Sequence, residues 1–544
     1  MLNIASQPQR NHAEPQEKQI PTETGPIVPR FLILGGGAVV SDFYLPALAR
    51  LGWLSGATIV DLASATLAQI KRLVPGVNTF AGDFRNILAD PGLRRNHDAA
   101  IVSLPNSLHT AAVQTALKTG YPVLCEKPLA LTVADCQLLD SISKQKGVPL
   151  AVGMVSRLTP AAKALAAALA AGLIGRVLEV EVDHGGPYAW TSDSGDFFRK
   201  ENGGILADLG VHYLDWLTSL FGPLTPMGYE DDCRGGVEAS CIYELRTFEG
   251  VQIKLRLSHR HRRTNMTVFH GEKGRLELAK DNFAACRLRG VADGVAAELK
   301  PDVPFVNASW PVDFVSCFAQ QFYDFNFAIN GASEAIVQAS QVVDSIRLIE
   351  EAYAGRSIRD SRQPSIAGSE RPSLPTGRAV ITGATGFIGT ALVERLTDLG
   401  FENLVIPVRG YRTCSSVARF PVALPKVDLT DRLQVRETLR GARWVFHLAY
   451  GQNSKDAKRI TVDSTRIIVE EAAAAGAEAV VVLSTMYVFG HPAEALVDES
   501  CPYSPAGGHY GKTKMAMERW CLKYGILLAC SDQKVRHIRA FLRS

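Results

Sequence analysis

Apolar runs and helical patterns alternate along the first part of the chain. Phe31–Leu34, Ala57–Val60, Ala99–Ser103 and Pro122–Cys125 each read as a buried strand bounded by glycine, proline or charge, with helical stretches between them. Strand–helix–strand spacing of this kind predicts a doubly wound parallel sheet. Beyond the alanine-rich helix expected within Ala164–Gly175, the pattern changes to alternation every second residue. Leu178–Asp183, Ala239–Arg246, Val251–Ser258, Met266–His270 and Arg275–Leu278 predict a meander, followed by helices over Phe314–Ile329 and Ser333–Ala354. Arg356–Pro375 is rich in Ser, Pro and Arg without periodicity and reads as a linker. A second strand–helix alternation then begins at Ala379–Ile381. The expected organisation is a disordered tail (1–28), a dinucleotide-binding domain (29–150), an α+β substrate domain (151–356), a linker (357–375) and a second nucleotide fold (376–544).

Composition narrows the class without naming the chemistry. At 544 residues the chain is too long for one core, and 47% apolar with 21% charged residues is ordinary for a soluble protein. A net charge of +3 gives no reason to expect a nucleic-acid or membrane-surface partner. The basic cluster His259–Arg263 interrupts a strand-like alternation, which suits a solvated sheet face or an anionic-substrate contact. Ten cysteines without a CxxC pair suggest neither a metal site nor a disulfide framework. No apolar stretch resembles a signal peptide or a membrane span, so a cytoplasmic location is expected.

Chemistry concentrates at strand ends. Gly35 and Gly37 follow the first strand at the first two positions of a dinucleotide turn, with Val40 at the third. Gly35 permits the tight turn, and Gly37 lets backbone N–H groups approach a pyrophosphate. Asp61 ends the next strand where an acid meets the adenine ribose, which favours NAD over NADP. Asn106 and His109 open the helix after the third strand and are expected along the cofactor path, His109 having a structural alternative as a helix-start residue. In YPVLCEKPLA, Pro128 restricts Lys127 to extended backbone just beyond a strand end, where ligands bind in open α/β sheets. In GGILADLGVHYLD, Asp208 and His212 stand four apart, on one helical face. Arg199, in DFFRKE, is either an anion contact or, more simply, surface charge.

Together, AIVSLPNSLHTAAVQTALKTG, YPVLCEKPLA and GGILADLGVHYLD resemble the Gfo/Idh/MocA oxidoreductases over roughly residues 29–356. The resemblance implies a Rossmann domain joined to a domain with a large, open, mostly antiparallel sheet. It implies reversible hydride transfer between a nicotinamide and a sugar or polyol carbon, in a protein that self-associates through the open sheet. Lys127, Asp208 and His212 are the expected catalytic groups, with Glu126 on the cofactor side. His212 is the first choice as proton acceptor because imidazole titrates near neutrality, and Lys127 is the alternative. Asp208 would orient the ring or bind a hydroxyl, and Lys127 would steady a developing alkoxide.

The later fold opens with TGATGFIG, placing Gly383, Gly386 and Gly389 at TGxxGxxG spacing. It resembles an extended short-chain dehydrogenase/reductase of the NAD-dependent epimerase/dehydratase group. Arg409, ending the strand expected at Leu404–Val408, would welcome a 2′-phosphate and favours NADP. The resemblance assigns Asp428 to the adenine, Ala449 to a cofactor-side strand end, and Thr485, Tyr510 and Lys514 to catalysis. Most of the substrate cap and the strand after the Tyr510 helix are expected to be missing, leaving a cofactor domain whose unaided turnover is not expected. The combined reading is a sugar or nucleotide-sugar oxidoreductase fused to an epimerase-like domain, in nucleotide-sugar or surface-polysaccharide metabolism. The alternative is a redox sensor or scaffold that binds cofactor without turnover.

Overall fold

The computed structural model describes residues 28–530 except 191–193, 291–295, 302–305, 308, 335–336, 359–376, 452–455, 491–500, 505–507 and 524–526. The expected tail, up to residue 27, and the linker from residue 359 onward lie outside the described residues. Three sheets organise the rest. The first runs Asn78–Ala81, Ala57–Asp61, Phe31–Leu34, Ala99–Val102, Val123–Glu126, Leu150–Gly153, all parallel, in the doubly wound order. Its inner strands FLIL, AAIV and VLCE are buried at every position, as a sheet covered on both faces demands. That continuity of apolar residues is why they were readable.

The second sheet has nine strands and is mostly antiparallel. At its centre Val177–Gly185 and Gln252–Ser258 run parallel, in register from Glu179↔Gln252 to Gly185↔Ser258. Four of its strands were not foreseen: Thr225–Asp231, Cys286–Gly290, Ala296–Leu299 and Ser357–Ile358. The first carries Pro226 and Gly228 with a register shift between them, and the next exposes arginines, so neither shows clean alternation. Ser357–Ile358 also moves the start of the expected linker into the sheet edge. The helix expected from Ser333 begins only with the turn Ala339–Val342, continuing as Val343–Ala354. Residues just before it are drawn onto the first sheet, where the Val152 N–H donates to the Val337 carbonyl at 2.9 Å.

The third sheet repeats the doubly wound order with Val422–Ala423, Leu404–Val405, Arg378–Thr382, Ala442–His447, Ala479–Ser484 and Leu527–Cys530. The last of these corrects an expectation: a strand does follow the Tyr510 helix, pairing Val481 with Leu527. The strand before Arg409 is shorter than foreseen, two residues plus an isolated bridge from Val408 to Lys426.

This second nucleotide fold rests on the substrate domain. Arg234 and Gly236 donate backbone N–H bonds to the Arg419 carbonyl at 2.7 and 3.0 Å, and Val237 donates to Ala418 at 2.8 Å. The Arg234 guanidinium reaches Glu394 and Asp398 on the helix after the second glycine turn. Among the described residues no helix is long and apolar enough to cross a membrane.

Candidate functional site

The first glycine turn is shaped for a dinucleotide. Gly35 has φ +97°, and a Cβ there would lie 2.1 Å from the Ser103 carbonyl oxygen. At Gly37 a Cβ would meet nothing within 4 Å, leaving open space beside the backbone. Asp61 braces the turn: Gly36 N–H donates to one carboxylate oxygen at 2.8 Å and Ala63 N–H to the other at 2.7 Å. These features fit a pyrophosphate and ribose, and a nicotinamide dinucleotide would be held by this turn and the strand ends beside it.

Glu126, expected on the cofactor side, is tied to the glycine-turn segment and to its own strand end. It is buried, accepting from the Tyr44 hydroxyl at 2.5 Å and the Lys127 N–H at 3.2 Å. Tyr44 follows the glycine turn in the same helical segment, so this bond ties turn to strand end. For His109 the geometry favours the structural alternative. Its ring is fully buried with its two nitrogens 2.7 and 2.8 Å from the Pro128 and Leu104 carbonyl oxygens, so both face backbone and the single N–H of the neutral ring donates to one of them. Burial pushes its pKa down. Asn106 donates to the Asn202 carbonyl at 2.8 Å, joining the first domain to the segment before Gly203. Arg199 pairs with Asp196 on the surface, its side chain 62% exposed.

Beyond the strand end Lys127, Asp208 and His212 come together. The Lys127–Pro128 peptide is cis. Lys127 Nζ donates to Asp208 Oδ1 at 2.7 Å and to its carbonyl at 2.9 Å. Asp208 lies in a π-turn, Leu206–Gly210, running directly into the α-helix Val211–Phe221 that carries His212. Such wider turns often mark functional sites. Burial acts to raise the Asp208 carboxyl, but Lys127 and then His259 outweigh it and hold it well below the usual range. Burial, reinforced by Lys127, lowers His212 to about 3, so its imidazole is neutral at physiological pH. Its Nδ1 is buried without a hydrogen-bond partner.

Two neighbours were missed. His259 Nε2 stands 3.6 Å from Asp208 Oδ2, and the Tyr188 ring lies 5.4 Å from the His259 ring. His259 belongs to the basic cluster; two of its three arginines serve structural pairs, Arg260 with Asp232 at 3.1 Å and Arg263 with Asp183 at 2.6 Å, and Arg262 is exposed. The signal was a histidine one residue past a strand end, the same position that singled out Lys127.

In the second fold Gly383 has φ +69°, and a Cβ would meet the Ala449 nitrogen at 2.6 Å; one at Gly389 would meet Ala384 Cα at 2.4 Å. At Gly386 the nearest atom to a Cβ would be the Gly383 carbonyl oxygen, at 3.4 Å. Ala449 thus sits against the turn. Arg409 is exposed, and it helps hold the Asp428 carboxyl low, after the larger contributions of Thr430. Thr485 caps the turn Met486–Val488, and the Tyr510 ring packs 6.0 Å from Tyr487. Lys514 is almost wholly buried, donates to the Leu483 carbonyl at 2.6 Å, and is lowered by burial to about 8. His447, unforeseen, bridges Thr382 and Thr465 at 2.6 and 2.8 Å beneath the turn.

Residues 29–154 match the oxidoreductase family with an NAD-binding Rossmann fold, GFO/IDH/MocA, and 162–277 match the GFO/IDH/MocA C-terminal domain. Residues 379–526 match the NAD dependent epimerase/dehydratase family. The trans-1,2-dihydrobenzene-1,2-diol dehydrogenase of Sus scrofa is 26% identical over 254 residues, 46% of this chain and 73% of that protein. The 1,5-anhydro-D-fructose reductase of Ensifer adhaerens is 27% identical over 191 residues, 35% of this chain and only 55% of its own length. Among solved structures, KijD10, a 3-ketoreductase from Actinomadura kijaniata, has a TM-score of 0.53 at 20% identity, covering 61% of this chain and 98% of its own. The aldose-aldose oxidoreductase from Caulobacter crescentus scores 0.50 at 24% identity, covering 60% and 96%. At these identities the structural likeness speaks for the fold. With both glycine turns and the Lys127–Asp208–His212 group in place, the chain joins an NAD(P)-dependent oxidoreductase unit, matched by the Gfo/Idh/MocA models over residues 29–154 and 162–277, to a unit matched by the NAD dependent epimerase/dehydratase model over residues 379–526.

Proposed function

We propose that the first unit oxidises or reduces a secondary carbon of a sugar, cyclic polyol or nucleotide sugar. The carrying observation is the Lys127–Asp208 ion pair beside a neutral His212 whose Nδ1 lacks a partner, all beyond the carboxyl end of Val123–Glu126. The names of the diol dehydrogenase and the anhydrofructose reductase support a small polyhydroxylated ring as substrate. A nicotinamide held by the glycine turn supplies the hydride acceptor or donor. In oxidation the neutral His212 imidazole takes the substrate hydroxyl proton, and in reduction it returns one. Lys127 spends hydrogens on Asp208 and keeps one for the same substrate oxygen, where it favours alkoxide charge. Asp208 holds that ammonium in position. The test is turnover of a panel of sugars, polyols and nucleotide sugars, followed by nicotinamide absorbance. Tight cofactor binding with no turnover of any of them would favour the sensor or scaffold.

The proton acceptor is separable by pH. With His212 lowered to about 3, oxidation should show kcat/KM nearly level from pH 5 to 8, about one step below which it falls. A lysine acceptor must first lose a proton, and the rate would then climb through the alkaline range. A steep alkaline climb in wild type, kept in His212→Gln, would move the role to Lys127.

The cofactor preferences we infer are NAD in the first unit and NADP in the second. A 2′-phosphate near Asp61 meets its charge, whereas Arg409 is exposed at the matching place in the second fold. Asp61→Ser should narrow the preference of the first unit by roughly tenfold or more, since a lost charge repulsion near 4 Å is worth about 1–4 kcal/mol. Titrations of the whole chain with NADH and NADPH, with and without Asp61→Ser and Arg409→Ser, read this; unchanged ratios would mean the strand ends do not set the preference. The second unit's context in nucleotide-sugar chemistry rests on its family match and on Thr485, Tyr510 and Lys514.

A further inference from the structure

Tyr188 stands between the two units. One side of it faces the catalytic group: its ring lies 5.4 Å from His259, and its N–H donates to the His259 carbonyl at 3.2 Å. The other side faces the second unit, where Tyr188 and Phe198 share one apolar cluster with Tyr411, Cys414, Val417 and Phe420. After burial, Asp208 and Cys414 are what push the Tyr188 phenol up, so both flank it.

The segment Gly195–Asn202 is likewise gripped from two directions. On the first Rossmann side Asn202 accepts from the Ser107 N–H and the Asn106 amide, both at 2.8 Å. On the opposite side Tyr411 lies so close that a Cβ on Gly195 would come within 2.4 Å of its ring, and Phe198 stacks on Tyr411 at 6.2 Å. The seam is fixed by the backbone bonds from Arg234, Gly236 and Val237 to Ala418 and Arg419.

We propose that the second unit is a working wall of the first unit's active site, with Tyr411 a positioning residue that holds Tyr188 and Gly195–Asn202 against the substrate side. The two families are then fused because one completes the other's substrate chamber, whether or not the second site turns over. This deepens the proposed function and rests on it for the activity readout only.

Gly236→Ala in the full chain tests it. Gly236 does not occupy the left-handed region, so alanine suits its own backbone. A Cβ there would nevertheless lie 2.1 and 2.2 Å from the Ala418 and Phe420 carbonyl oxygens, which are backbone and have no rotamer to yield. Undocking should lower kcat/KM roughly tenfold or more, because small misplacements of a binding surface cost that much, while NADH affinity stays within about twofold. Hydrogen exchange over 195–202 and 410–421 should rise together. Tyr411→Ala keeps the seam's backbone bonds and should change kcat/KM in the same direction with exchange rising at 195–202. Unchanged kcat/KM and unchanged exchange at 195–202 in both variants would overturn the proposal. If wild type turns over none of the sugars, the functional reading falls and exchange decides alone. Protection lost over both segments upholds the wall, and protection lost only over 410–421 refutes it.

Discussion

Lys127→Met is expected to lower kcat by roughly 10²–10³-fold, the scale seen when one preorganised donor to a developing oxyanion is removed, with little change in cofactor affinity. Methionine nearly matches lysine in length and fills its space, so the glycine turn, Asp61 and the Tyr44–Glu126 brace stay as they are. What is lost is the ammonium paired to Asp208 at 2.7 Å, in a place where the two side chains are only 16% and 22% exposed. Breaking such a pair leaves a buried carboxylate, at a cost of about 3–5 kcal/mol where nothing else compensates. His259 remains 3.6 Å from Asp208, so the cost should fall at the lower end of that range. The sign with pH follows from the depressed Asp208 carboxyl. Its stabilisation is present above the ordinary aspartate value and disappears as pH falls through the lowered one. The variant loses that contribution, so its deficit against wild type should be largest at neutral pH and shrink on acidification. Lys127→Met with Asp208→Asn should regain stability without regaining turnover. A double variant as unstable as the single one, or a single variant with normal kcat, would contradict the assigned pair.

The sequence exposed what depends on local pattern and left hidden what depends on pairing across distance. Four strands of the first sheet were legible because they are short runs of mostly apolar residues. The edge strands Asn78–Ala81, exposed and polar at its start, and Leu150–Gly153 were not foreseen. Lys127 was legible because Pro128 follows it at a strand end. Asp208 and His212 were legible by their spacing, although the π-turn over Leu206–Gly210 was not. His259 reaches Asp208 because the strand Gln252–Ser258 packs against the π-turn Leu206–Gly210, a pairing of segments separated by more than forty residues. Nothing nearby in the chain marks that pairing, because a single strand's alternation does not reveal its neighbour. The same limit explains His109. A histidine opening a helix looks the same whether its ring meets a cofactor or two backbone carbonyls, and only the packed Pro128 carbonyl decides. The seam between units was hidden more completely, since Gly236 in CRGGVE reads as an ordinary turn glycine until Arg419 lies against it.

Glu238→Gln is expected to remove much of a pH dependence of stability that wild type carries between pH 4.5 and about 7. Glu238 is 2% exposed and lies under the turn leading to Asp208. Its carboxylate accepts from the Tyr353 hydroxyl at 2.6 Å, the Arg356 guanidinium at 3.2 Å and the Leu206 N–H at 3.3 Å. It also explains the glycine pair of GGILAD, because a Cβ on Gly204 would lie 2.2 Å from that carboxylate. Burial is the largest influence and raises the acid; Tyr353 and Arg356 pull it back only as far as about 7. The folded chain therefore keeps a proton that the unfolded chain releases above the ordinary glutamate value of 4.5. Stability is full below that value and declines as pH rises through about 7, by an amount on the order of 3 kcal/mol. Glutamine keeps an oxygen for Tyr353 and Leu206, and Arg356 keeps Asp231 at 2.7 Å. It cannot ionise, so that decline should vanish from the variant while any contribution of the neighbouring Asp231 stays in both proteins. Urea denaturation of wild type and variant at pH 5 and pH 8 reads the difference directly. The two should be of similar stability at pH 5 and diverge at pH 8 with the variant the more stable; parallel pH curves would show that Glu238 is ionised throughout and that Arg356 holds it so.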